Sequence, residues 1–461
     1  MEWLKGKDGK PLFSSPRVFL NFIVLVACAQ FAFSLLAMKG VLLPQMLEMW
    51  DISMTEFGIL MSIYGIVHNI FYLACSWAQD RFSPRVLIPV NMILGGLTTY
   101  FLGKTSDFTT LCFLFVMLSL WCEGAFWPAV LASVRKTTSD SNQGKIFGLL
   151  EGGRGVVEFL QNSFVVGLYA YLGYSVLGLE VAFMVNAGIM ILLGVIAWFI
   201  LPRETLLKSG EDSKKANAEV KEGIKVTMRL PELWLAGFVG FVVFMCYTTT
   251  PFFLTFLKDV YILPVLAVSI FGILSTSGGR ITVALPAGFI AERFFGGPSG
   301  GMRAGLVAIA ILSIAMILLP KNEAFAIPAM IILVMMAFTY FFMRSLYFAP
   351  YGEMGLPPRF SGSAIAIAAF IIYLPATFAY GLWGVIIDKY EGVSGYNVVF
   401  GILLVISIVG AIIATILKRR IANGAAKRIA EKMAEVDRRL GLKGEEKTLT
   451  ELIDNESKST T

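Results

Sequence analysis

Twelve long apolar runs, separated by short polar segments, account for most of the chain. A bilayer core of about 30 Å requires about 20 helical residues, and the runs are close to that length. Transmembrane barrels show instead segments of about ten residues in which apolar and polar positions alternate. The runs lie near residues 18–38, 57–79, 86–103, 109–134, 146–171, 177–201, 234–257, 266–290, 303–319, 327–350, 363–387 and 397–417. The pattern predicts an all-α integral membrane protein with twelve transmembrane helices.

The composition supports this class and argues against a soluble enzyme. Hydrophobic residues make up 57% of the 461 residues and charged residues only 15%, whereas soluble domains contain about 25% charged residues. The sequence contains no visible nucleophile–base pair, metal-ligand cluster or nucleotide-binding GxxxxGK[ST] loop. We therefore expect no enzymatic activity, no cofactor and no ATP-driven step. No patch of interleaved basic and aromatic residues suggests a nucleic-acid partner.

The charged residues between the runs indicate how the chain is oriented. Lysine and arginine concentrate on one side of the predicted membrane, for example at Arg85, Arg135 and Arg293, whereas Glu48 and Asp388 lie on the other side. By the positive-inside rule, the basic side faces the cytoplasm. The sequence thus predicts a multi-pass protein of the cell membrane with both termini in the cytoplasm.

A charged segment in the middle divides the chain. Residues 202–230 separate six runs from six and are typical of a linker. We therefore predict a cytoplasmic N-terminal segment (1–17), a first six-helix bundle (18–201), this linker, a second six-helix bundle (231–417) and a cytoplasmic tail (418–461). The tail begins with the spacing of a basic amphipathic helix, which either lies on membrane lipid or is solvated, and its last residues are predicted to be disordered.

The two halves repeat a short motif at the same place. Asp80-Arg81-Phe82 follows the second run, and Glu292-Arg293-Phe294 follows the eighth. A looser correspondence relates Glu123, shortly before a proline of the fourth run, to Arg344, shortly before a proline of the tenth. The repeat predicts two pseudo-symmetric six-helix bundles related by an axis along the membrane normal.

The segment around the first motif resembles the signature loop of the major facilitator superfamily. Ser76-Trp77-Ala78-Gln79-Asp80-Arg81-Phe82-Ser83-Pro84-Arg85 matches the pattern G-x-x-x-D-R-x-G-R-R, with serines in place of its two glycines. The resemblance implies two bundles around a central cavity and transport by alternating access. Within that superfamily, the stretch Asp80-Arg81…Pro84-Arg85-Val86-Leu87-Ile88-Pro89 and the Lys39…Leu43-Pro44 end of the first span resemble the organophosphate:anion and anion:cation symporter groups. Organophosphate transporters carry an arginine in the first and seventh spans. Here the first span has only Lys39, which the predicted boundaries place close to the outer surface, and the seventh has no cation.

The signature loop and its repeat are candidate gating elements. An acid at a helix end can accept hydrogen bonds from the N-terminus of a neighbouring helix, and an arginine can pair with acids there. Such contacts would close the cytoplasmic side and break on opening. The alternative is that these residues only set the topology. The candidates are Asp80, Arg81, Arg85, Glu292, Arg293 and Glu353.

Charges inside the spans are costly, so each suggests a function. His68 and Arg280 occupy equivalent positions in the two halves and predict a central site. Arg280 could hold a carboxylate or another oxyanion with its planar fork, with help from Arg344 or His68. The alternatives are an ion pair between Arg280 and a glutamate of another span, a gating role for Arg344, and a core histidine bonded to backbone at position 68.

Span five carries Glu151, Arg154 and Glu158 on one helical face. The spacing predicts an intramembrane ion pair in which Arg154 lies between two acids. Two interpretations of the acids remain open. Either they pair with Arg280 and Arg344 across the cavity, or one glutamate carries a proton. Glu123 is the first candidate for proton coupling, followed by Glu151 and Glu158.

These features predict a secondary active transporter. We expect it to move a small organic anion, of the carboxylate type, by alternating access and in proton-coupled import, and to act as a monomer in the membrane. The alternatives are an anion exchanger, an efflux pump for cationic or neutral compounds, and a transporter-like ligand sensor. Aromatic residues are predicted to line the substrate site, or else to serve as packing. They are Tyr64, Trp127, Tyr247 and Tyr373.

Overall fold

The regular elements of the protein are helices. The computed structural model describes residues 11–74, 82–138, 143–202, 228–284, 286–354, 358–390, 392–429 and 431. The first half comprises α1 (Pro16–Phe31), α2 (Ser34–Trp50), α3 (Met54–Ala74), α4 (Pro84–Leu102), α5 (Phe108–Ser119), α6 (Phe126–Arg135), α7 (Gln143–Tyr171) and α8 (Val176–Ile200). The second half comprises α9 (Pro231–Tyr247), α10 (Phe252–Asp259), α11 (Val265–Ile273), α12 (Ala287–Phe295), α13 (Pro298–Leu318), α14 (Ala326–Arg344), α15 (Pro350–Glu353), α16 (Pro358–Tyr373), α17 (Ala379–Lys389) and α18 (Val393–Ala422).

The helices agree with twelve membrane crossings. Within the described ranges, ten helical stretches are long and apolar enough to span a bilayer, and the bent pair α1–α2 would add an eleventh. Helix α7 supplies the twelfth, with 29 residues. It falls outside the apolar set because Glu151, Arg154 and Glu158 interrupt its apolar sequence. The predicted all-α membrane fold is therefore confirmed.

Short polar side chains begin several of these helices. Ser15 accepts from the backbone N–H of Val18, and a proline follows it at the first helical position. Asp107 accepts from Thr110 at 2.7 Å, and Ser175 accepts from Gly178 at 3.1 Å. These side chains satisfy backbone donors that a helix start leaves free. The local sequence thus sets where these three helices begin.

The first membrane crossing is longer than its predicted range of 18–38. Helices α1 and α2 form one crossing bent by 42°, and α2 continues to Trp50. Its backbone departs from helical geometry at Leu42, two residues before a proline that lacks an N–H and crowds the preceding turn. The predicted end at residue 38 is wrong, because the apolar pattern continues through this kink.

Irregular backbone surrounds three of the charges inside the membrane. Glu123 lies in a π-helical turn, Leu120–Gly124, between α5 and α6. Two further π-helical turns, Leu274–Gly278 and Arg280–Ala284, follow α11. Arg344 ends α14 and is followed by turns. Such π-helical insertions widen a helix locally and are frequent at functional sites.

One end of the molecule joins the two halves. We call it the acidic end, because it contains Glu48, Asp259 and Asp388. The opposite end, which contains Arg85, Arg135 and Arg293, is called the basic end. At the acidic end, a carboxylate oxygen of Asp388 accepts from the Thr55 N–H at 2.7 Å, and Lys258 pairs with Glu48. These contacts connect the start of α3 and the end of α2 with the second half.

Glycines let α3 approach the second half closely. A Cβ atom at Gly58 would overlap the backbone of Tyr380, and one at Gly65 would overlap the carbonyl of Ala376. At Gly384, an added Cβ would overlap the backbone of Met54. The glycines therefore permit backbone contact along α3, where any larger side chain would force the two halves apart.

Replacing Gly65 by alanine is expected to disfavour this closed arrangement. The added Cβ would overlap Ala376, and such overpacking costs about 1–3 kcal/mol. Disulfide formation between cysteines placed at 55 and 388 should therefore fall several-fold. Gly167→Ala in the same background is the control, because a Cβ there meets nothing within 4 Å. Equal cross-linking in both variants would contradict the role assigned to Gly65.

Candidate functional site

A cavity of about 750 Å³ lies between the two halves. Its volume suits a small metabolite. Toward the basic end, its lining includes Phe147, Gly148 and Ile365. The charged residues and the histidine that line it are Lys39, His68, Glu123, Glu151, Arg154, Glu158, Arg280 and Arg344, and five tyrosines, at 64, 247, 347, 373 and 380, lie among them. The membrane-embedded charges therefore meet in one cavity.

His68 and Glu123 form a contact within the first half. Nδ1 of His68 lies 3.2 Å from a carboxylate oxygen of Glu123. The Tyr64 hydroxyl donates to the other oxygen at 3.3 Å. The π-helical turn around Glu123 presents this carboxylate to α3, which carries both partners. A histidine and a carboxylate in contact can share one proton between them.

Arg154 pairs with its neighbour on the same helix. Its Nη1 donates to Glu151 at 2.8 Å. Its guanidinium also lies 4.7 Å from the ring centroid of Trp127 and 5.2 Å from that of Phe33. The i,i+3 spacing brings the acid and the base together, as the sequence predicted, and the two rings add cation–π attraction.

Arg280 pairs with the first half. Its Nη1 donates to Glu158 at 2.7 Å and to the side-chain oxygen of Gln30 at 3.3 Å. Glu158, which the sequence placed beside Arg154, thus has a hydrogen bond to Arg280 from the other half. The arrangement matches the ion pair that was one interpretation of Arg280, and it leaves this fork less free to hold a substrate.

Arg344 lies among aromatic rings. Its guanidinium carbon is 4.0 Å from the ring centroid of Tyr247 and 5.7 Å from that of Phe341. Its Nη1 has no hydrogen-bond partner, and it forms no ion pair, within the described ranges. A guanidinium nitrogen that is buried without an acceptor is electrostatically incomplete. Of the cations predicted to bind substrate, Arg344 has the most freedom to accept an anion.

Lys39 also lines the cavity, which corrects its predicted position near the outer surface. The residue is 4% exposed. Its Nζ donates to the Tyr380 hydroxyl at 3.1 Å and lies 4.7 Å from that ring centroid. The prediction failed because it ended the first crossing at residue 38. The apolar residues between Val41 and Trp50 were the signal that the crossing continues.

The predicted aromatic residues all line the cavity. The Tyr373 hydroxyl is 3.0 Å from that of Tyr347, and the Tyr373 ring centroid is 5.7 Å from that of His68. Several other lining residues were not singled out from the sequence. Four of them are aromatic, and aromatic residues at helical spacing are common in membrane helices. These lining residues are Gln30, Phe244, Phe341, Tyr347 and Phe348.

The structure describes only some of the predicted gating residues. Asp80 and Arg81 lie outside the described residues. Arg85 donates from Nε to the Trp198 carbonyl at 2.5 Å, and Glu353 accepts from the Ser299 N–H at 3.0 Å. Both contacts stay within one half. Glu292 and Arg293 are exposed on α12. A gating role for this set stays a prediction.

Comparisons with known proteins agree with a transport fold. The family model described as Major Facilitator Superfamily matches residues 22–380. The inner membrane protein YihN of Escherichia coli K12 is 26% identical over 402 residues, which cover 87% of this chain and 96% of that protein.

Two solved transporter structures share the fold. A bacterial homolog of the human lysosomal transporter Spinster, inward-facing and unoccupied, superposes with a TM-score of 0.72 at 15% identity, over 89% of this chain and 99% of that chain. The nucleoside transporter NupG gives a TM-score of 0.66 at 14% identity, over 87% and 98% of the two chains.

Proposed function

The chain belongs to the Major Facilitator Superfamily and is a multi-pass membrane transporter of small molecules, and from this premise we propose that its substrate is a small organic anion of the carboxylate type. We propose further that import is coupled to protons, that it proceeds by alternating access, and that the basic end faces the cytoplasm across the cell membrane. The observation that carries the proposal is the environment of Arg344.

Arg344 offers a positive charge that the protein does not neutralise locally. It lines the cavity, and its Nη1 has no hydrogen-bond partner within the described ranges. A carboxylate in the cavity could accept two parallel hydrogen bonds from its fork. The Tyr247 ring at 4.0 Å would hold the guanidinium in place while the anion binds. Arg280, which bonds to Glu158, would instead link the halves around the substrate.

The His68–Glu123 contact supports proton coupling. The pair lines the same cavity as Arg344, and at 3.2 Å the two groups can hold one proton together. With that proton the pair is neutral, and without it the pair carries one negative charge. A negative charge in the cavity would repel an anionic substrate, so proton binding and substrate binding would favour each other.

The contacts between the halves support alternating access. Backbone contact at Gly58 and Gly65 closes the acidic end, while the cavity lining extends to Phe147 and Gly148 toward the basic end. The similarity to an inward-facing transporter agrees with a conformation that opens to the cytoplasm. Motion of one half against the other would then expose the same cavity to the outside.

Purified protein in liposomes is expected to accumulate a small carboxylate when the lumen is alkaline relative to the medium. Glu123→Gln should abolish the effect of the pH gradient, because the His68–Glu123 pair then loses its shared proton site. Uptake of radiolabelled monocarboxylates and dicarboxylates, with and without the gradient, measures this.

Glu180→Gln is the matched control. Glu180 pairs with Lys104 at 2.9 Å, and neither residue lines the cavity. Uptake restricted to neutral or cationic compounds would overturn the anion assignment. Gradient-driven uptake that persists in Glu123→Gln would refute the coupling role. Exchange of internal for external anion without a gradient would identify an exchanger instead.

A further inference from the structure

The charges that line the cavity do not balance. Four cations face it, namely Lys39, Arg154, Arg280 and Arg344, together with three carboxylates, Glu123, Glu151 and Glu158. Two of the carboxylates bond to Arg154 and Arg280, and the third contacts His68. When the His68–Glu123 pair holds its proton, Lys39 and Arg344 remain as two uncompensated positive charges.

Lys39, like Arg344, carries a positive charge that no carboxylate neutralises through an ion pair among the described residues. It forms no ion pair within the part of the chain that the structure describes, and its hydrogen-bond partner is the Tyr380 phenol at 3.1 Å. Glu158 is near enough to attract it, but the Glu158 carboxylate bonds to Arg280 at 2.7 Å. A buried ammonium without a carboxylate partner is costly, and Arg344 is near enough to repel it.

The two cations belong to different halves. Lys39 lies on α2, and Arg344 ends α14. From this juxtaposition we infer that the substrate carries two negative charges and that one contacts Lys39 while the other contacts Arg344. This inference rests on the proposed function, because it assumes that the cavity binds an anion. A dianion would neutralise both cations and join the two halves through the ligand.

The arrangement also explains why Lys39 bonds to a neutral partner. The Tyr380 hydroxyl occupies one donor of the ammonium, and the other donors have no partner among the residues that the structure describes. A second anionic group of the ligand can therefore bind without first breaking an ion pair. A monoanion would leave one of the two cations uncompensated, so the cavity selects for the number of negative charges on the ligand as well as for the sign of its charge.

The test compares ligands that share a skeleton and differ in charge. Binding of succinate, glutarate and adipate, and of the monomethyl ester of each, is measured by calorimetry on the full-length protein in detergent. The wild-type protein should bind at least one diacid about tenfold or more tightly than its monoester, because a second charge-assisted contact is made. Methyl phosphate is added as a compact dianion.

Variants at Lys39 test whether this lysine binds the second charge of the ligand. Lys39→Gln should remove the preference for the diacid over its monoester, by lowering diacid affinity far more than monoester affinity, and Lys39→Arg should retain that preference. Lys104→Gln is the matched control, since that lysine pairs with Glu180 and does not line the cavity. Methyl phosphate supports the inference if its binding requires Lys39 and contradicts it if Arg344 alone suffices.

The outcomes separate the inference from the proposed function. Monoesters that bind the wild-type protein as tightly as the diacids would overturn the inference and leave an anion transporter. This comparison needs no variant, so it stands even if Lys39→Gln does not fold. A diacid preference that survives in folded Lys39→Gln would also overturn it. Binding of neutral or cationic compounds without any anion, or no binding across the panel, would overturn the proposed function and the inference together.

Discussion

Replacing Arg344 by alanine is expected to weaken the binding of an anionic substrate by about 30- to 1,000-fold. A charge-assisted hydrogen bond is worth about 1.5–3 kcal/mol, and a bidentate contact is stronger. Nη1 of this arginine has no hydrogen-bond partner within the described ranges, so the donors of this nitrogen are available to a ligand. Its removal should leave the three paired contacts in the cavity intact, and the loss should therefore appear in binding rather than in folding.

Calorimetry or ligand-induced thermal stabilisation of the purified variant measures this loss. Arg344→Lys should retain part of the affinity, because the charge remains while the planar fork is lost. Arg229→Ala, at an exposed position before α9, serves as the matched control and should bind like the wild type. Wild-type affinity in Arg344→Ala would remove the observation on which the proposed function depends.

Removing one partner of the Arg280–Glu158 pair is expected to destabilise the protein by about 3–5 kcal/mol. Glu158 is buried, Arg280 is half-buried, and the two side chains lie 2.7 Å apart in different halves. Glu158→Gln or Arg280→Met alone would leave an uncompensated charge in a low-dielectric interior. The double variant removes both charges, so it should be more stable than either single variant.

Thermal denaturation in detergent tests this order of stabilities. The partly exposed pair between Lys104 and Glu180 is the control, because exposed ion pairs contribute about 1 kcal/mol or less. If the double variant loses as much stability as the two single variants together, Arg280 and Glu158 do not act as a pair. A double variant that is stable but inactive would show that the pair serves transport rather than folding.

The membrane fold could be predicted from the hydrophobic pattern because the bilayer imposes a length on every crossing. The pattern identified even α7, despite its three charges, since its remaining residues keep the apolar character of a span. The signature-loop resemblance predicted the superfamily, and the family comparison confirms it. The predicted domain boundaries stay predictions, since much of the 202–230 linker and of the tail lies outside the described residues.

The pairing of charges could be predicted only where both partners lie on one helix. Arg154 and Glu151 are neighbours on one helix, so sequence spacing alone brings them together. Arg280 and Glu158 are 122 positions apart, and their contact depends on how the two halves pack. His68 and Glu123 meet only because a π-helical turn presents the carboxylate to α3, and no sequence period predicts such a turn.

Lys39 shows how a small boundary error changes a functional interpretation. With the first crossing ended at residue 38, the lysine belonged to the surface, and the cavity contained one fewer cation. The backbone is kinked at Leu42, two residues before a proline, and the helix continues beyond this kink to Trp50. In membrane helices, a proline with apolar residues on both sides is better taken as a bend than as an end.

The contact between Thr55 and Asp388 makes hydrogen exchange at the start of α3 a local measure of how often the acidic end opens. Ser53 and Glu56 cap the helix from within its own half, with the Ser53 N–H donating to Glu56 at 2.8 Å and the Glu56 N–H donating to Ser53 at 3.1 Å. Of these three backbone N–H groups, that of Thr55 is the one that donates across the halves, to Asp388, and the Thr55 hydroxyl donates to the same carboxylate oxygen. When the acidic end opens, the helix start stays intact and that single amide loses its acceptor. Hydrogen–deuterium exchange at Thr55, compared with its two protected neighbours, would therefore count opening events in an unlabelled protein.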